Sequence, residues 1–308
     1  MRVIFCGNPS FAVPTLQALL NGPHTVAAAV CSPDKPHGRG QKVQPLPVKR
    51  VADASGVPVL QPESLKDETF LGHIREFKPD CLVVVAFRIL PRELFALPPL
   101  GSFNVHPSLL PRGRGPAPIR WTLIRGETET GVTIIQLTEK VDAGAMLKQV
   151  RVKVNPNDDF GSLHDRLAER GARMLVEVLD DFERGRPPQP IGQKEAETTK
   201  APKLFAADRI LDWSQPVRDV INRIRALSPS PGAFAVAASF RMKILQAQPA
   251  ATEALLEPGE TRAQDEQLYI GTGGGAIQVD VVQPEGRRPM SVAEYLRGRP
   301  VLPIRFAK

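Results

Sequence analysis

The residues best placed to do chemistry lie between positions 102 and 121, in SFNVHPSLLPRGRGPAPIRW. Asn104 and His106 stand two positions apart in a run that reads as a strand. Alternate residues of a strand share a face, so an amide and an imidazole project side by side. The amide can donate to an oxygen that gains negative charge, and the imidazole exchanges protons near neutral pH. That pairing suits acyl transfer. The glycine-, proline- and arginine-rich run after it reads as a loop, which leaves the strand end open. Asp142, in KVDAGAM, adds a carboxylate in a turn, where an aspartate by itself needs no further role.

These groups need a scaffold, and the first half of the chain supplies its pattern. RVIFCG (2–7), TVAAAVCS (25–32), PVLQP (58–62), CLVVVAF (81–87) and FNVH (103–106) read as strands. TGVTIIQL (130–137) and AMLKQVRVKV (145–154) read as two more, around a turn at Asp142, Ala143 and Gly144. Helical periods fall at 10–22, 47–56, 66–77 and 159–184. Alternating strands and helices predict a Rossmann-like, doubly wound, mostly parallel α/β sheet. Such sheets bind ligands beyond the carboxyl ends of their strands, where His106 stands. Residues 185–203 are rich in Pro, Lys, Glu and Thr and read as an exposed linker. After a helix at 217–228, short strands at 233–238, 240–248, 268–273 and 276–283 point to a smaller β-barrel or sandwich. The expected division is a catalytic domain at 1–187, a linker at 188–206 and a C-terminal domain at 207–308.

Several function classes are disfavoured. GNPSFA (7–12) closes the first strand without G-x-G-x-x-G, which argues against a dinucleotide, and no Walker-type loop supports an ATP-driven step. No apolar run is long enough to span a membrane. The 3 cysteines, Cys6, Cys31 and Cys81, lie in or beside apolar runs far apart in sequence. A disulfide framework or metal site is not expected, and a reducing cytoplasm is. The 308 residues carry a net charge of +7, which permits an anionic partner such as RNA.

Asn104, His106 and Asp142, with SLLPRGRGPAPI between the last two, resemble the signature of the folate-dependent formyltransferases. The resemblance runs nearly the whole length. It takes in VIFCGNPSFAVPTLQALL, PDKPHGRGQK, PVKRVADASGVPVLQP, ETGVTIIQLTEKVDAGAM and ILDWS at 210–214. It is strongest to the branch whose acceptor is the amine of methionyl-initiator tRNA in translation initiation. Small-molecule formyltransferases acting on glycinamide ribonucleotide or an amino-sugar nucleotide are the alternative, and AFRILP (86–91) is closer to the former.

The resemblance implies Asn104, His106 and Asp142 as catalytic residues and 10-formyltetrahydrofolate as formyl donor, with no metal. Asn104 and a protonated His106 would hydrogen-bond the developing oxyanion, and Asp142 would accept a proton or act on the imidazole. It implies folate contacts from Arg88, Ile89, Leu90, Ser108, Leu109, Leu110, Pro111 and Val141, largely through backbone groups. Lys35, Arg39 and Lys42 would enter the tRNA acceptor stem, with Arg39 at the key position. Lys194, Lys200, Lys203, Arg209, Arg241 and Lys243 would meet phosphates, the last three from an OB-like domain. A monomer is expected. Pro107, Gly113 and Pro116 depart from the usual pattern, Gly113 standing where a bulky aromatic is common.

Overall fold

The structure is a computed structural model that describes all residues except 35, 38–41, 239, 252–255, 299 and 308; of 36, 37, 42 and 43 it describes the backbone alone. The elements run β1 (Arg2–Gly7), α1 (Val13–Leu20), β2 (Thr25–Val30), β3 (Pro36–His37), β4 (Lys42–Val43), α2 (Pro47–Ala54), β5 (Val59–Leu60) and α3 (Glu68–Glu76). Then come β6 (Cys81–Val85), α4 (Arg92–Phe95), β7 (Ser102–His106), α5 (Pro118–Ile124), β8 (Glu129–Gln136), β9 (Met146–Lys153) and α6 (Phe160–Glu183). The C-terminal part holds α7 (Val217–Leu227), β10 (Ala233–Ala237), β11 (Phe240–Pro249), β12 (Thr261–Gln264), β13 (Gln267–Thr272), β14 (Gly275–Pro284), β15 (Met290–Ser291) and α8 (Val292–Arg297).

Two compact units form. The first comprises residues 1–115, 130–153 and 164–201; the second comprises 116–129, 154–163 and 202–308. The first unit is built on a seven-stranded sheet in the order β5-β2-β1-β6-β7-β8-β9. The pairs from β5 to β7 are all parallel, and β7 pairs with β8 antiparallel. This is the doubly wound, Rossmann-like arrangement expected from the alternating pattern. The order reverses between β1 and β6, the switch point at which such sheets open a crevice.

Both faces of the sheet are covered, which explains the unbroken apolar runs of its strands. Ile4, Cys6, Leu82 and Val84 pack with Phe70, Leu71 and Ile74 of α3 and Leu94 of α4. On the other face, Phe103 of β7 meets Phe182 of α6 with ring centroids 5.1 Å apart. Gly171 lets α6 settle on the same strand: a Cβ there would stand 2.6 Å from Val105 Cγ1. Phe103 and Val105 therefore fix β7 from one side, and Asn104 and His106 emerge on the other.

The second unit is the β-rich one. Its six strands form an antiparallel sheet in the order β10-β11-β14-β13-β12, with β15 added to β14. Trp213, Ile224, Leu227, Ile244, Ile270 and Phe306 fill its core. Among the described residues, no helix is long and apolar enough to cross a membrane.

Candidate active site

β7 delivers His106 at its carboxyl end, opposite Thr133 of β8. The loop that follows is fixed from within the first unit. Thr133 Oγ1 donates to Ser108 O at 2.7 Å and accepts from Leu110 N at 3.3 Å. Gln149 Nε2 donates to Leu110 O at 3.0 Å and to Thr133 Oγ1 at 2.9 Å. Ser108 Oγ donates to Arg112 O at 2.6 Å. Residues 108–111 therefore form a braced turn. The Ser108 hydroxyl is committed to that turn, and the Leu110 side chain is buried.

His106 is buried, and both its ring nitrogens face oxygen. Nε2 donates to Gly113 O at 3.0 Å, and Nδ1 lies 3.5 Å from Asp142 Oδ1. A carbonyl only accepts, so Nε2 is the donor toward Gly113. Asp142 Oδ2 accepts from Gly115 N at 2.9 Å. The loop thus closes on the pair from both sides: its Gly113 carbonyl holds the imidazole and its Gly115 amide holds the carboxylate. Asn104 is half-buried on the same strand face. Among the described residues, no group hydrogen-bonds its side chain, so its amide donors are available to an incoming oxygen.

Asp142 takes a positive φ of 54°. A left-handed backbone is uncommon for a non-glycine residue, although Asp and Asn tolerate it best. Gly144 then passes so close to β8 that a Cβ would lie 1.7 Å from Gln136 O. The turn that presents the carboxylate is therefore seated tightly on the strand beside it.

Of the residues expected to contact folate, Ile89 and Val141 are 76% and 51% exposed. Their segments are joined by an ion pair, Arg92 Nη1 to Glu139 Oε1 at 3.1 Å. Leu90 is buried between α3 and α4. The Arg88 guanidinium turns to the chain at 62–63, donating to Pro62 O at 2.9 Å and Glu63 O at 3.0 Å. Its Nε is buried without a partner.

Lys35 and Arg39 lie outside the described residues, as does the Lys42 side chain. The base of their loop is firmly held. Lys49 Nζ donates to Asp34 and, at 2.7 Å, to Gln61 Oε1; Gln61 Nε2 donates to Ser32 O at 2.8 Å. Lys194 pairs with Glu197 at 3.3 Å, and Lys203 lies over the Phe205 ring. Lys200 is exposed and Arg209 half-buried. In the second unit, the Arg241 guanidinium stacks 3.7 Å from the Phe234 ring centroid and Lys243 Nζ lies 5.7 Å from it. One aromatic thus gathers two cations on the β10–β11 surface.

The cysteines are free and buried. Burial pushes the Cys31 and Cys81 thiols up to about 12 and Cys6 higher still, so none offers a thiolate nucleophile near neutral pH.

Sequence reading missed the outer ring of the site. Gln193, Glu195 and Thr199 bond to the loop after β7 or to its Arg114, and none carried a local signal. Residues 185–203 were expected to be an exposed linker with little to bury. They are mostly exposed, yet Ala201 is fully buried and the stretch from 191 to 201 is bonded into the first unit.

A seven-stranded doubly wound sheet with an amide, an imidazole and a carboxylate at the carboxyl end of β7 defines a class, and the comparisons identify it. Residues 1–179 match the formyl transferase family, and residues 203–300 match the formyl transferase C-terminal domain. Among solved structures, HypX from Aquifex aeolicus in complex with tetrahydrofolic acid superposes with a TM-score of 0.67 at 23% identity. That match covers 96% of this chain and 47% of HypX. WlaRD, a sugar 3N-formyl transferase, superposes at 0.68 with 15% identity over 94% of this chain and 99% of its own. Both show the fold alone. The methionyl-tRNA formyltransferase of Moorella thermoacetica is 42% identical over 305 residues, 98% of each chain, and that of Syntrophus aciditrophicus is 42% identical over 300 residues, 97% of this chain and 96% of its own. The chain belongs to the methionyl-tRNA formyltransferase family.

Proposed function

We propose that this enzyme transfers the formyl group of 10-formyltetrahydrofolate to the amine of methionyl-initiator tRNA, with Asn104, His106 and Asp142 as its catalytic residues. The observation that carries the assignment of roles is the convergence of the three. His106 and Asp142 lie 3.5 Å apart and are locked to one loop, while the Asn104 amide stands open beside them.

The surroundings fit a folate. Ile89 and Val141 offer exposed apolar walls for a flat ring system, and the orphaned Arg88 Nε offers a buried donor next to Ile89 in sequence. When bound, 10-formyltetrahydrofolate supplies an activated formyl carbon. Arg88, Ile89, Leu90 and Val141 would hold it, and the braced turn 108–111 shapes the adjoining wall. Asn104 donates to the oxygen that gains charge, a contribution typically worth about 10²–10³ in rate. Asp142 takes the proton that leaves the amine, directly or through water, and that proton is returned to N10 of the departing tetrahydrofolate as the formyl C–N10 bond breaks. Asp142 Oδ1 lies 3.5 Å from His106 Nδ1, so the imidazole is within reach to relay that proton. His106 Nε2 is held by the Gly113 carbonyl, so its donation to the reacting oxygen requires that carbonyl to yield; Asn104 needs no such change.

The tRNA would be held by Lys35, Arg39 and Lys42 at the acceptor stem. Lys194, Lys200, Lys203, Arg209, Arg241 and Lys243 would meet the phosphates. Phe234 with Arg241 and Lys243 has the cation-and-ring character that suits nucleic acid. In this reading 1–187 is the catalytic domain, 188–206 the linker and 207–308 the tRNA-binding domain, and the enzyme acts as a cytoplasmic monomer.

The test supplies 10-formyltetrahydrofolate with methionyl-initiator tRNA, glycinamide ribonucleotide or an amino-sugar nucleotide and follows the mass of each acceptor. Formylation of the tRNA alone is expected. His106→Ala should lose nearly all turnover and keep tRNA affinity; wild-type turnover in that variant removes His106 from the mechanism.

A further inference from the structure

We propose that Gln193 is a positioning residue for Asp142, and that the strap 191–201 sets the aim of the catalytic carboxylate. The inference rests on the role given above to Asp142.

The Gln193 side chain lies between the two segments that carry the site. Its Nε2 donates to Asp142 O and to Gly144 O, each at 2.8 Å. Its Oε1 accepts from Arg114 Nε at 2.9 Å and Nη2 at 2.8 Å. This fixes the amide's orientation without ambiguity, because a guanidinium only donates and a carbonyl only accepts. All four contacts of one side chain go to residues within two positions of a group that touches His106 or Asp142. Arg114 is in turn held by Glu195, at 3.0 and 3.1 Å, and Glu195 also takes Lys140 at 2.7 Å.

The backbone of the strap reinforces the contact. Ile191 and Met146 exchange two hydrogen bonds, at 2.8 and 2.9 Å. Arg114 N donates to Thr199 O, Ala201 N donates to Arg114 O, and Gly113 N donates to Thr199 Oγ1. Gly115 takes a φ of 124°, and a Cβ on it would stand 2.6 Å from Ala201 O, so the strap and the loop are in backbone contact. Asp142 needs such support. A left-handed non-glycine backbone persists only where its neighbours over-determine it, and Gln193 grips the turn on both sides of Ala143.

Gln193→Glu separates aiming from clamping. A glutamate keeps an oxygen for Arg114 and turns its second oxygen on two carbonyls, so the strap stays paired while the Asp142 turn is repelled. We expect kcat to fall by roughly 10-fold to 10²-fold, the scale of an ångström-sized misplacement. KM for the tRNA should stay within about twofold and Tm near wild type. Selectively labelled His106 should show moved ring nitrogen signals, in the direction that Asp142→Asn moves them. In the Asp142→Asn background, Gln193→Glu should cost nothing further. Wild-type kcat with unmoved His106 signals, or fully additive losses, overturns the proposal. Should Gln193→Glu fold poorly, Arg114→Lys, which loses the fork but keeps the charge, must lower kcat in the same way. A fully active Asp142→Asn enzyme would instead overturn the catalytic reading itself, whereas an inactive one beside an unaffected Gln193→Glu overturns this inference alone.

Discussion

Replacing Gly144 with alanine tests whether the seat of the Asp142 turn controls catalysis. The added Cβ would lie 1.7 Å from Gln136 O and 2.9 Å from Gln136 C. Both atoms are backbone of β8, and Gln136 N is tied to Ala145 O at 3.0 Å, so no flexible side chain can absorb the clash. Ordinary van der Waals separation requires the turn to retreat by roughly 1.5 Å, a shift of the size that costs about 10²-fold in rate when it reaches reacting groups. Overpacking of this kind costs about 1–3 kcal/mol, which a domain stable by about 5–15 kcal/mol survives. The expected Gly144→Ala enzyme is therefore folded, somewhat less stable and slower by about 10²-fold in single-turnover formyl transfer at saturating donor. Denaturant melts supply the stability. Gly72→Ala is the control: its Cβ meets nothing within 4 Å and it lies inside α3, so it should gain up to about 1 kcal/mol from helix propensity and keep full activity. A folded Gly144→Ala enzyme with wild-type single-turnover rate would refute the link between the seat and the chemistry.

The strap's charged anchor gives a pH signature. Lys140 first and Arg114 second hold the Glu195 carboxyl down at about 2, against an ordinary 4.5. A lowered carboxyl adds stability above the unfolded value and loses it as pH falls toward the folded one. The Tm difference between wild type and Glu195→Gln should be full above about pH 5 and fade between about 4.5 and 2; a difference that grows on acidification contradicts the pairing. Arg241→Ala should weaken tRNA binding and make the slope of log K against log salt shallower by about 0.7–0.9, the loss of one phosphate contact; an unchanged slope places Arg241 off the RNA.

The sheet was legible because its strands are buried on both faces and so read as continuous apolar runs. The long helix α6 carries a clear apolar period, and even the turn at Asp142 to Gly144 was marked by its residues. Several short elements escaped, α4, β3, β4, β15 and α8 among them. α5 is seven residues long and begins inside PAPI, so its prolines read as loop although one of them opens the helix. β12, TRAQ, is largely exposed and is defined by its ladder bonds to β13, with no apolar alternation to reveal it. The helical run at 10–22 splits into a short 3-10 turn at Ser10–Ala12 and α1, with Pro14 at the start of the latter. In the site, the spacing of Asn104 and His106 showed their shared face, but Asp142 comes to them only through the β8 return. Gln193 and Thr199 come from still farther along the chain, in a segment whose composition says only that it is polar.

The basic loop after β7 is, in the folded chain, largely a structural clasp. Arg114 is mostly buried and committed to Gln193 and Glu195, so its charge is balanced internally. Gly113 departs from the bulky aromatic expected there, and its φ of 74° explains why a glycine suits the position. Its amide holds Thr199 and its carbonyl holds His106. The basic character of PRGRGP therefore argues little about RNA. The charge that would meet a phosphate backbone has to come from side chains outside such clasps, and on the second unit the clearest candidates are Arg241 and Lys243 over Phe234. On the proposed reading, aiming the carboxylate and holding the acceptor would fall to different basic residues, which would let the two be altered separately.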